Sequence, residues 1–376
     1  MGALLGMASA CTWSDDLVAD TFTADQWARL QDDYRPPKPP NPCTLPGVGE
    51  VEPMRCDALA RFGQQLFFDR GLSSNCSVSC ATCHDPTRSF TDPRVANNVS
   101  AGAITFTGRN AISLVNVALK DDGAPAAHRA AFTWDGRYTS PGAVLALAAG
   151  TPMGNDTAER IARVIRDHPT YRAKYESLFE PVDSNDTVVF SHLKTAFDAY
   201  LRRLVSVDTP FDRFITGDAP EAISARAQHG FGLFVGKAMC AECHRGNLFT
   251  DFQFHATGVL QAGANVPASD PGRQKRTMQP DDASRFFTPT LRGVSSTAPY
   301  MHDGWMASLA DVIAFYRAGG GPVPLPGMRD ALIEPLEITD DDAHDLEEFL
   351  RTLDGGPIPA EWTRDIHVEG LCPTAN

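Results

Sequence analysis

The sequence has no long apolar run. No interior stretch approaches 18 consecutive apolar residues, so the sequence predicts no membrane-spanning helix. Positive charge is also scarce, because 33 lysines and arginines stand against 47 aspartates and glutamates, for a net charge of -14. An acidic surface repels nucleic acid and anionic membranes, so neither is expected to be the main partner. Strand-like alternation is rare as well, which argues against a β-rich fold.

Two copies of the pentapeptide Cys-x-x-Cys-His occur, one in each half of the chain. Their residues are Cys80, Cys83 and His84 in the first copy, and Cys240, Cys243 and His244 in the second. Structural zinc needs four ligands and each motif brings three, while a thioredoxin-like dithiol needs no histidine. Two thiols three residues apart reach the two vinyl groups of one porphyrin, and the histidine that follows binds its iron. The motifs therefore predict two covalently bound c-type haems.

The spacing of apolar residues predicts a mainly α chain. The 376 residues, 43% of them hydrophobic, are enough for two domains with separate cores and exclude a disordered protein. Helices are predicted over residues 57–68, 187–205, 221–239, 308–318 and 340–353. The segment 208–220 breaks the helical pattern and predicts a joint. The predicted units are a signal remnant and tether over 1–42, haem domains over 43–215 and 216–356, and a C-terminal tail over 357–376.

The first residues are typical of an exported protein. The stretch MGALLGMASAC leads through small and apolar residues to Cys11, like the end of an export signal. Either Cys11 is the lipidated first residue of the mature chain, or the stretch is an apolar tail. The Pro-rich segment 36–42 would complete a tether. Covalent haem attachment implies a periplasmic or equivalent location.

The remaining cysteines predict two disulfides. Without Cys11 and the two motifs, four cysteines of the nine are left, which is an even number. The turn-rich segment between Cys43 and Cys56 favours their pairing. Cys76 would then pair with Cys372 and attach the C-terminal tail to the N-terminal domain. The alternative of free thiols does not suit an oxidising compartment.

Five segments in a fixed order resemble the bacterial di-haem cytochrome c peroxidase family, which includes MauG. They are FGQQLFFDRGLS at 62–73, SCATCHDP at 79–86, GRNAISLVNVA at 108–118, FTWDGR at 132–137 and FFTPTLRGVSSTAPYMHDG at 286–304. The resemblance implies two cytochrome c-like haem domains and hydrogen peroxide as oxidant. The pattern TADQWARLQDDY before the Pro-rich linker is most similar to the MauG-like, methanobactin-associated MbnH branch.

The resemblance also implies a distal ligand for the second haem. Position fourteen after His302 of PYMHDG is Tyr316, where the peroxidases have methionine and MauG has tyrosine. Tyr316 and His244 would then bind one iron from opposite sides, and a tyrosinate favours oxidised iron. The alternative is a core tyrosine, because the same spacing places Tyr316 on an apolar helical face.

Further residues match functional positions of the family. Trp134 matches a tryptophan between the two haems, and is either a charge relay or a core indole. Asn110, Thr297 and Pro299 match positions that hold a calcium ion, and are otherwise part of a turn without metal. Three arginines are either haem-propionate partners or surface charges, namely Arg109, Arg137 and Arg292.

The chain departs from the family around the first haem. The peroxidases and MauG have a distal glutamine and a distal glutamate ten and twenty residues after the tryptophan of WDGR. Here these positions hold Val144 and Gly154, and residues 138–156 contain neither Glu nor Gln. The glutamate moves a proton when peroxide is cleaved. Either another residue such as Asp156 replaces it, or peroxide turnover is weak.

Taken together, the motifs and the resemblance predict an exported di-haem enzyme. Hydrogen peroxide would generate a high-valent di-haem state that oxidises a tryptophan or tyrosine of a protein partner. One alternative is a cytochrome c peroxidase that reduces peroxide with electrons from a small redox protein. Another is a non-enzymatic electron-transfer cytochrome, which the missing glutamate favours.

Overall fold

The structure is a computed structural model, and its described part is mainly helical. It describes residues 22–92, 100–120, 132–138, 140–147, 150–155, 157–179, 181, 185–261, 263, 265–324, 327–367 and 372, so Cys11 and Asp156 lie outside the described residues. The helices are Ala24–Asp33, Pro53–Phe68, Cys80–Cys83, Ala158–Asp167, Pro169–Leu178, Asp186–Leu201, Pro210–Ile215, Ala225–Val235, Gln274–Thr277, Leu309–Arg317, Asp340–Arg351 and Ala360–Thr363. Among the described residues, no helix is long and apolar enough to cross a membrane.

Strands contribute little to this fold. Two antiparallel pairs of two residues each are present, Thr44–Leu45 with Gly49–Glu50 and Phe254–His255 with Phe286–Phe287. The second pair lies beside the second Cys-x-x-Cys-His motif. The scarcity of strands in the described part agrees with the scarcity of alternating patterns in the sequence.

The N-terminal hydrophobic core is built around a pair of long helices. Pro53–Phe68 packs against Asp186–Leu201, and the two approach closely where Gly63 faces the backbone of Ala196. A Cβ atom at Gly63 would overlap the Ala196 carbonyl oxygen, so only glycine permits this approach. The helix ends at Phe68, and the first motif begins at Cys80.

The C-terminal hydrophobic core repeats this arrangement. The helix Ala225–Val235 packs against Asp340–Arg351, with Gly230 against the carbonyl oxygen of Asp345. The second motif begins five residues after this helix, and the first motif begins twelve residues after its own. Each Cys-x-x-Cys-His motif therefore follows a helix that is held in a hydrophobic core by a close glycine–backbone contact.

Each end of the chain packs into the hydrophobic core of the opposite half. The N-terminal helix, Ala24–Asp33, packs with Phe22 and Tyr34 into the C-terminal core. At the other end, Trp362 packs into the N-terminal core, where Gln64 donates hydrogen bonds to the Glu361 and Arg364 carbonyl oxygens. The segment around Trp362 therefore contacts the N-terminal core.

The structure differs from two of the predicted boundaries. Residues 22–34, predicted as tether, form a packed helix because Thr23 and Gln26 make a capping box, and because Trp27 and the flanking Phe22 and Tyr34 pack against the C-terminal core. The joint predicted at 208–220 contains the helix Pro210–Ile215, which a second capping box starts at Thr209. Its side chains belong to the C-terminal core rather than to the predicted 43–215 unit.

Both predicted disulfides are present. Cys43 pairs with Cys56 across a Cα–Cα distance of 5.5 Å. Cys76 pairs with Cys372 at 5.8 Å, four residues before the first motif begins. The cysteines of the two Cys-x-x-Cys-His motifs are not disulfide-bonded and are half-buried.

A cluster of buried charges joins the two halves of the chain. Asp135 is fully buried and accepts contacts from Arg109 at 3.0 Å, Arg137 at 2.7 Å and Arg276 at 3.2 Å. Arg109 also makes two hydrogen bonds to Asp270, at 2.6 and 2.7 Å. Because the partners come from residues 109–137 and 270–276, the cluster fixes the segment around Trp134 against the C-terminal half.

Candidate functional site

The second motif presents its histidine in a fixed orientation. Cys240 starts a short 3-10 turn, and His244 follows with its Nδ1 atom 2.9 Å from the carbonyl oxygen of Phe249. This hydrogen bond orients the ring and assigns the proton to Nδ1, because the carbonyl oxygen can only accept, so Nε2 carries the lone pair that a metal would need.

The first motif has the same geometry. Cys80 to Cys83 form one helical turn, started by a capping box between Ser79 and Thr82. The Nδ1 atom of His84 lies 2.9 Å from the carbonyl oxygen of Phe90. The two histidines therefore share one hydrogen-bonded geometry, which is typical of metal-binding histidines.

Burial keeps both histidines in their metal-binding form. The removal from water lowers the pKa of His84 and of His244, and it outweighs the backbone hydrogen bonds that raise these pKa values. The neutral imidazole, with a lone pair on Nε2, is therefore favoured at neutral pH.

A cavity brings the second motif together with Tyr316. Its lining includes Cys240, Cys243, His244 and Tyr316, with Trp134 at its wall. The helix Leu309–Arg317 positions Tyr316, because Leu309 and Ile313 anchor that helix in the C-terminal core. Two thiols, an imidazole and a phenol around one cavity are the groups that would hold the predicted haem c.

Trp134 lines the cavity and directly precedes Asp135, the centre of the charge cluster. Its Nε1 donates a hydrogen bond of 2.9 Å to the Asn110 carbonyl oxygen, and its ring meets His302 edge-on with centroids 6.3 Å apart. The indole is half-buried, and Asp135 follows it in the chain. The cluster therefore holds the segment that carries this ring.

The residues predicted to hold calcium line the same cavity. Asn110 is buried, and its side-chain amide lies 2.7 Å from the carbonyl oxygen of Pro299. The Thr297 hydroxyl donates to the Val294 carbonyl oxygen at 2.9 Å. The structure therefore brings Asn110 and Pro299 into contact, and a cation between them stays a prediction.

The three arginines predicted as propionate partners or surface charges all pair with aspartates. Arg292 is buried, lines the cavity and makes two hydrogen bonds to Asp212, at 2.8 and 2.9 Å. The other two belong to the charge cluster around Asp135. Of the three, Arg292 lies at the cavity wall, and its guanidinium is held by Asp212.

The sequence analysis did not identify His255, a histidine that lies between two carboxylates. His255 contacts Asp251 at 2.9 Å and Asp330 at 2.6 Å, and it lines the cavity beside Cys243. Burial by itself lowers the pKa of His255, but hydrogen bonds to Asp251, Cys243 and Asp330 raise it to about 11. The positively charged ring holds the strand Phe254–His255 at the cavity. The four-residue spacing of Asp251 and His255 was the local signal.

The predicted distal positions of the first haem offer no acid or base. Val144 packs against the N-terminal core. Gly154 has a φ of +69°, and a Cβ atom there would overlap the Ser74 hydroxyl oxygen. A glutamate at position 154 would therefore need a strained left-handed backbone and a displaced Ser74 hydroxyl.

Comparisons of the sequence with known proteins find a family and several relatives. The sequence profile described as di-haem cytochrome c peroxidase matches residues 57–220. The chain is 33% identical over 352 residues to the methylamine utilization protein MauG of Methylorubrum extorquens, covering 93% of this chain and 91% of MauG. It is 32% identical over 329 residues to cytochrome-c peroxidase IdrP2 of Pseudomonas sp. (strain SCT), covering 81% of this chain and 83% of IdrP2.

Two solved structures resemble the fold. One is a MauG-like protein associated with microbial copper homeostasis, with a TM-score of 0.67 and 28% identity over 89% of this chain and 97% of that one. The other is the diheme peroxidase BthA from Burkholderia thailandensis E264, with a TM-score of 0.68 and 25% identity over 90% and 92%. The chain therefore belongs to the di-haem cytochrome c peroxidase and MauG family, and it is a peroxide-dependent di-haem oxidoreductase.

Proposed function

We propose that the protein is an exported, periplasmic enzyme that uses hydrogen peroxide to oxidise a tryptophan or tyrosine of a protein partner. The observation that carries this proposal is the phenol of Tyr316, which lines one cavity with His244. When bound, the two haems supply the chemistry that reduces peroxide and stores the oxidising equivalents. The side chains around the haems determine which molecule donates the electrons that reduce peroxide.

Tyr316 is suited to favour an oxidised second site. Burial raises the pKa of Tyr316, so its hydroxyl keeps its proton until a cation takes the proton's place. A tyrosinate is a hard, negatively charged ligand and stabilises high oxidation states of iron, whereas a methionine stabilises the reduced state. A chain with tyrosine at this position is therefore suited to hold oxidising power rather than to accept electrons from a small carrier.

Trp134 is proposed as the relay between the two haem sites. Its hydrogen bond to Asn110 and its contact with His302 fix the ring at the cavity wall. An indole loses an electron more readily than the aliphatic side chains around it, so it is the natural stepping point for charge. The alternative of a merely structural indole predicts that Trp134→Phe leaves charge exchange unchanged.

Peroxide cleavage is expected to be slow. Val144 and Gly154 carry no group that moves a proton, and a general acid or base contributes about 100-fold to 10,000-fold. A slow first step suits a modifying enzyme, which acts on each partner molecule once, better than it suits a scavenger of peroxide.

The second candidate is a peroxidase that takes electrons from a small redox protein. It is favoured by the relatives named cytochrome-c peroxidase. The two candidates differ in their electron source. Reduced small cytochrome should support rapid turnover in the second case, whereas a folded test protein with surface tyrosines should be oxidised in the first.

The role of Tyr316 is tested by electron paramagnetic resonance of the ferric, haem-loaded protein. We expect one high-spin and one low-spin signal in the wild type, and loss of the low-spin signal in Tyr316→Phe. Tyr300→Phe is the matched control, because Tyr300 lines the same cavity but donates its hydroxyl to the Val294 carbonyl oxygen at 3.1 Å. A low-spin signal that survives in Tyr316→Phe contradicts the assignment.

Calcium binding at Asn110, Thr297 and Pro299 is proposed as a structural clamp at the cavity. The Asn110 side chain and two backbone carbonyl groups supply oxygen ligands, and waters would complete the shell. Metal analysis after chelation should find one calcium ion per chain in the wild type and none in Asn110→Ala. Equal calcium in both proteins contradicts the proposal.

A further inference from the structure

A row of aromatic rings runs from Trp27 of the N-terminal helix to the second motif. Trp27 is half-exposed, whereas Phe22 and Tyr34 are buried in the C-terminal core. Trp27 and Tyr34 are seven residues apart, which is two helical turns and about 10 Å. They therefore lie on the same face of the helix, one near each end.

The inner end of this row reaches the second motif. The ring of Tyr34 lies 5.1 Å from that of Phe249, measured between centroids. The carbonyl oxygen of Phe249 is the partner of the His244 Nδ1 atom, and Tyr34 is within electrostatic reach of Cys240. Tyr34 therefore packs directly behind the residues that bind the second haem.

The outer end of the row reaches the surface. Phe231 lies 5.5 Å from Tyr34 and 5.9 Å from Phe22, and Phe22 lies 6.0 Å from Trp27. Trp27 also meets Phe214 edge-on at 5.2 Å. The rings from Trp27 to Phe249 thus form a continuous series of contacts, with an oxidisable indole at its exposed end.

Core packing by itself accounts for Phe22 and Tyr34, because their side chains are buried. It does not require an indole at a half-exposed position. An indole can lose one electron and keep its N–H proton, so no proton acceptor is needed beside Trp27. Core packing therefore does not explain why a tryptophan stands at position 27.

We propose that Trp27 is the surface relay through which the second haem site withdraws electrons from the protein partner. The inference rests on the proposed function for its oxidant, hydrogen peroxide. Trp27 gives up an electron to the haem site along the ring contacts of Phe22, Phe231, Tyr34 and Phe249, and an aromatic residue of the partner then reduces Trp27. Per peroxide, the partner loses two electrons and two protons, and the peroxide takes up both and leaves as two waters.

The first test is peptide mapping by mass spectrometry after peroxide treatment without any partner. With no partner to oxidise, the oxidising equivalents should remain on Trp27, and its peptide should gain oxygen before the peptide of Trp305. Trp305 is the matched residue, because it is also a half-exposed tryptophan but is not part of the row of rings. Oxygen on Trp305 with none on Trp27 overturns the proposal.

The second test uses the haem-loaded protein and a folded test protein with surface tyrosines, which is too large to enter the cavity. After one equivalent of peroxide, stopped-flow absorbance follows the return of the haem spectrum to its resting form. Trp27→Phe should slow this return by about tenfold or more and leave the preceding peroxide reaction unchanged. Trp27→Tyr, which restores an oxidisable ring, should recover most of the rate, and Trp305→Phe should behave as wild type.

The outcomes separate the relay from the proposed function. If the wild type oxidises the test protein and Trp27→Phe does so at the same rate, the relay is wrong and the proposed function stands. If the wild type reacts with peroxide but does not oxidise the test protein, both are wrong. Circular dichroism of each variant verifies that the N-terminal helix is intact.

Discussion

Replacement of Asp135 by asparagine should weaken the connection between the two halves of the chain. Asp135 is fully buried and contacts three arginines at 2.7 to 3.2 Å. Removal of one partner from a buried ion cluster costs about 3–5 kcal/mol. Because the side chains of Arg137 and Arg276 remain 25% and 36% exposed, water screens them and the lower half of this range is expected.

The same substitution should change how the free energy of unfolding depends on pH in acid. Burial by itself raises the pKa of Asp135, but Arg137 and Arg109 hold this pKa well below its usual value of 3.8. A carboxylate with a depressed pKa contributes stability above its unfolded pKa, and the contribution is lost as the pH falls through the folded value. The difference between wild type and Asp135→Asn should therefore shrink below about pH 4.

Urea unfolding of the haem-loaded proteins, followed by circular dichroism between about pH 3 and pH 7, measures both effects. Asp281→Asn is the matched control, because it removes the same charge from an exposed position of the same region. If Asp135→Asn destabilises the protein no more than Asp281→Asn does, the cluster does not join the two halves.

Two further predictions concern packing and covalent structure. Gly230→Ala should lower the free energy of unfolding by about 1–3 kcal/mol, because its Cβ atom would overlap the Asp345 carbonyl oxygen. Gly356→Ala is the control, because the space around Gly356 is open. Equal effects of the two substitutions would contradict the helix contact. Peptide mapping under non-reducing conditions should recover Cys43 joined to Cys56, and free thiols at both positions would reject the pairing. Serine at both positions should cost about 3 kcal/mol, since the cross-link closes a short loop.

The local features of the fold were predictable from the sequence. Both Cys-x-x-Cys-His motifs follow helices as expected, and the pairings of Cys43 with Cys56 and of Cys76 with Cys372 are confirmed. These features depend on spacing along the chain, which the sequence displays directly. The family was predictable from five segments in a fixed order, and the matching sequence profile and the identity to MauG confirm it.

The long-range features were not predictable from the same patterns. The Pro-rich segment 36–42 suggested a tether, and the capping box at Thr23 that starts the N-terminal helix was overlooked. The contact of Asp135 with Arg276 joins residues far apart in sequence, and no local spacing announces it. The contact of Gly154 with Ser74 likewise depends on tertiary packing.

Oxidation of a protein side chain is measured most directly in a single turnover. The haem-loaded protein is mixed with one equivalent of peroxide and a folded test protein with surface tyrosines, and mass spectrometry counts the oxidised aromatic residues. We expect two electrons removed from the test protein per peroxide, and none with a Cys240→Ser/Cys243→Ser variant that cannot attach the second haem. Peroxide consumption that leaves the test protein intact, together with rapid turnover on a reduced small cytochrome, would contradict the proposed function.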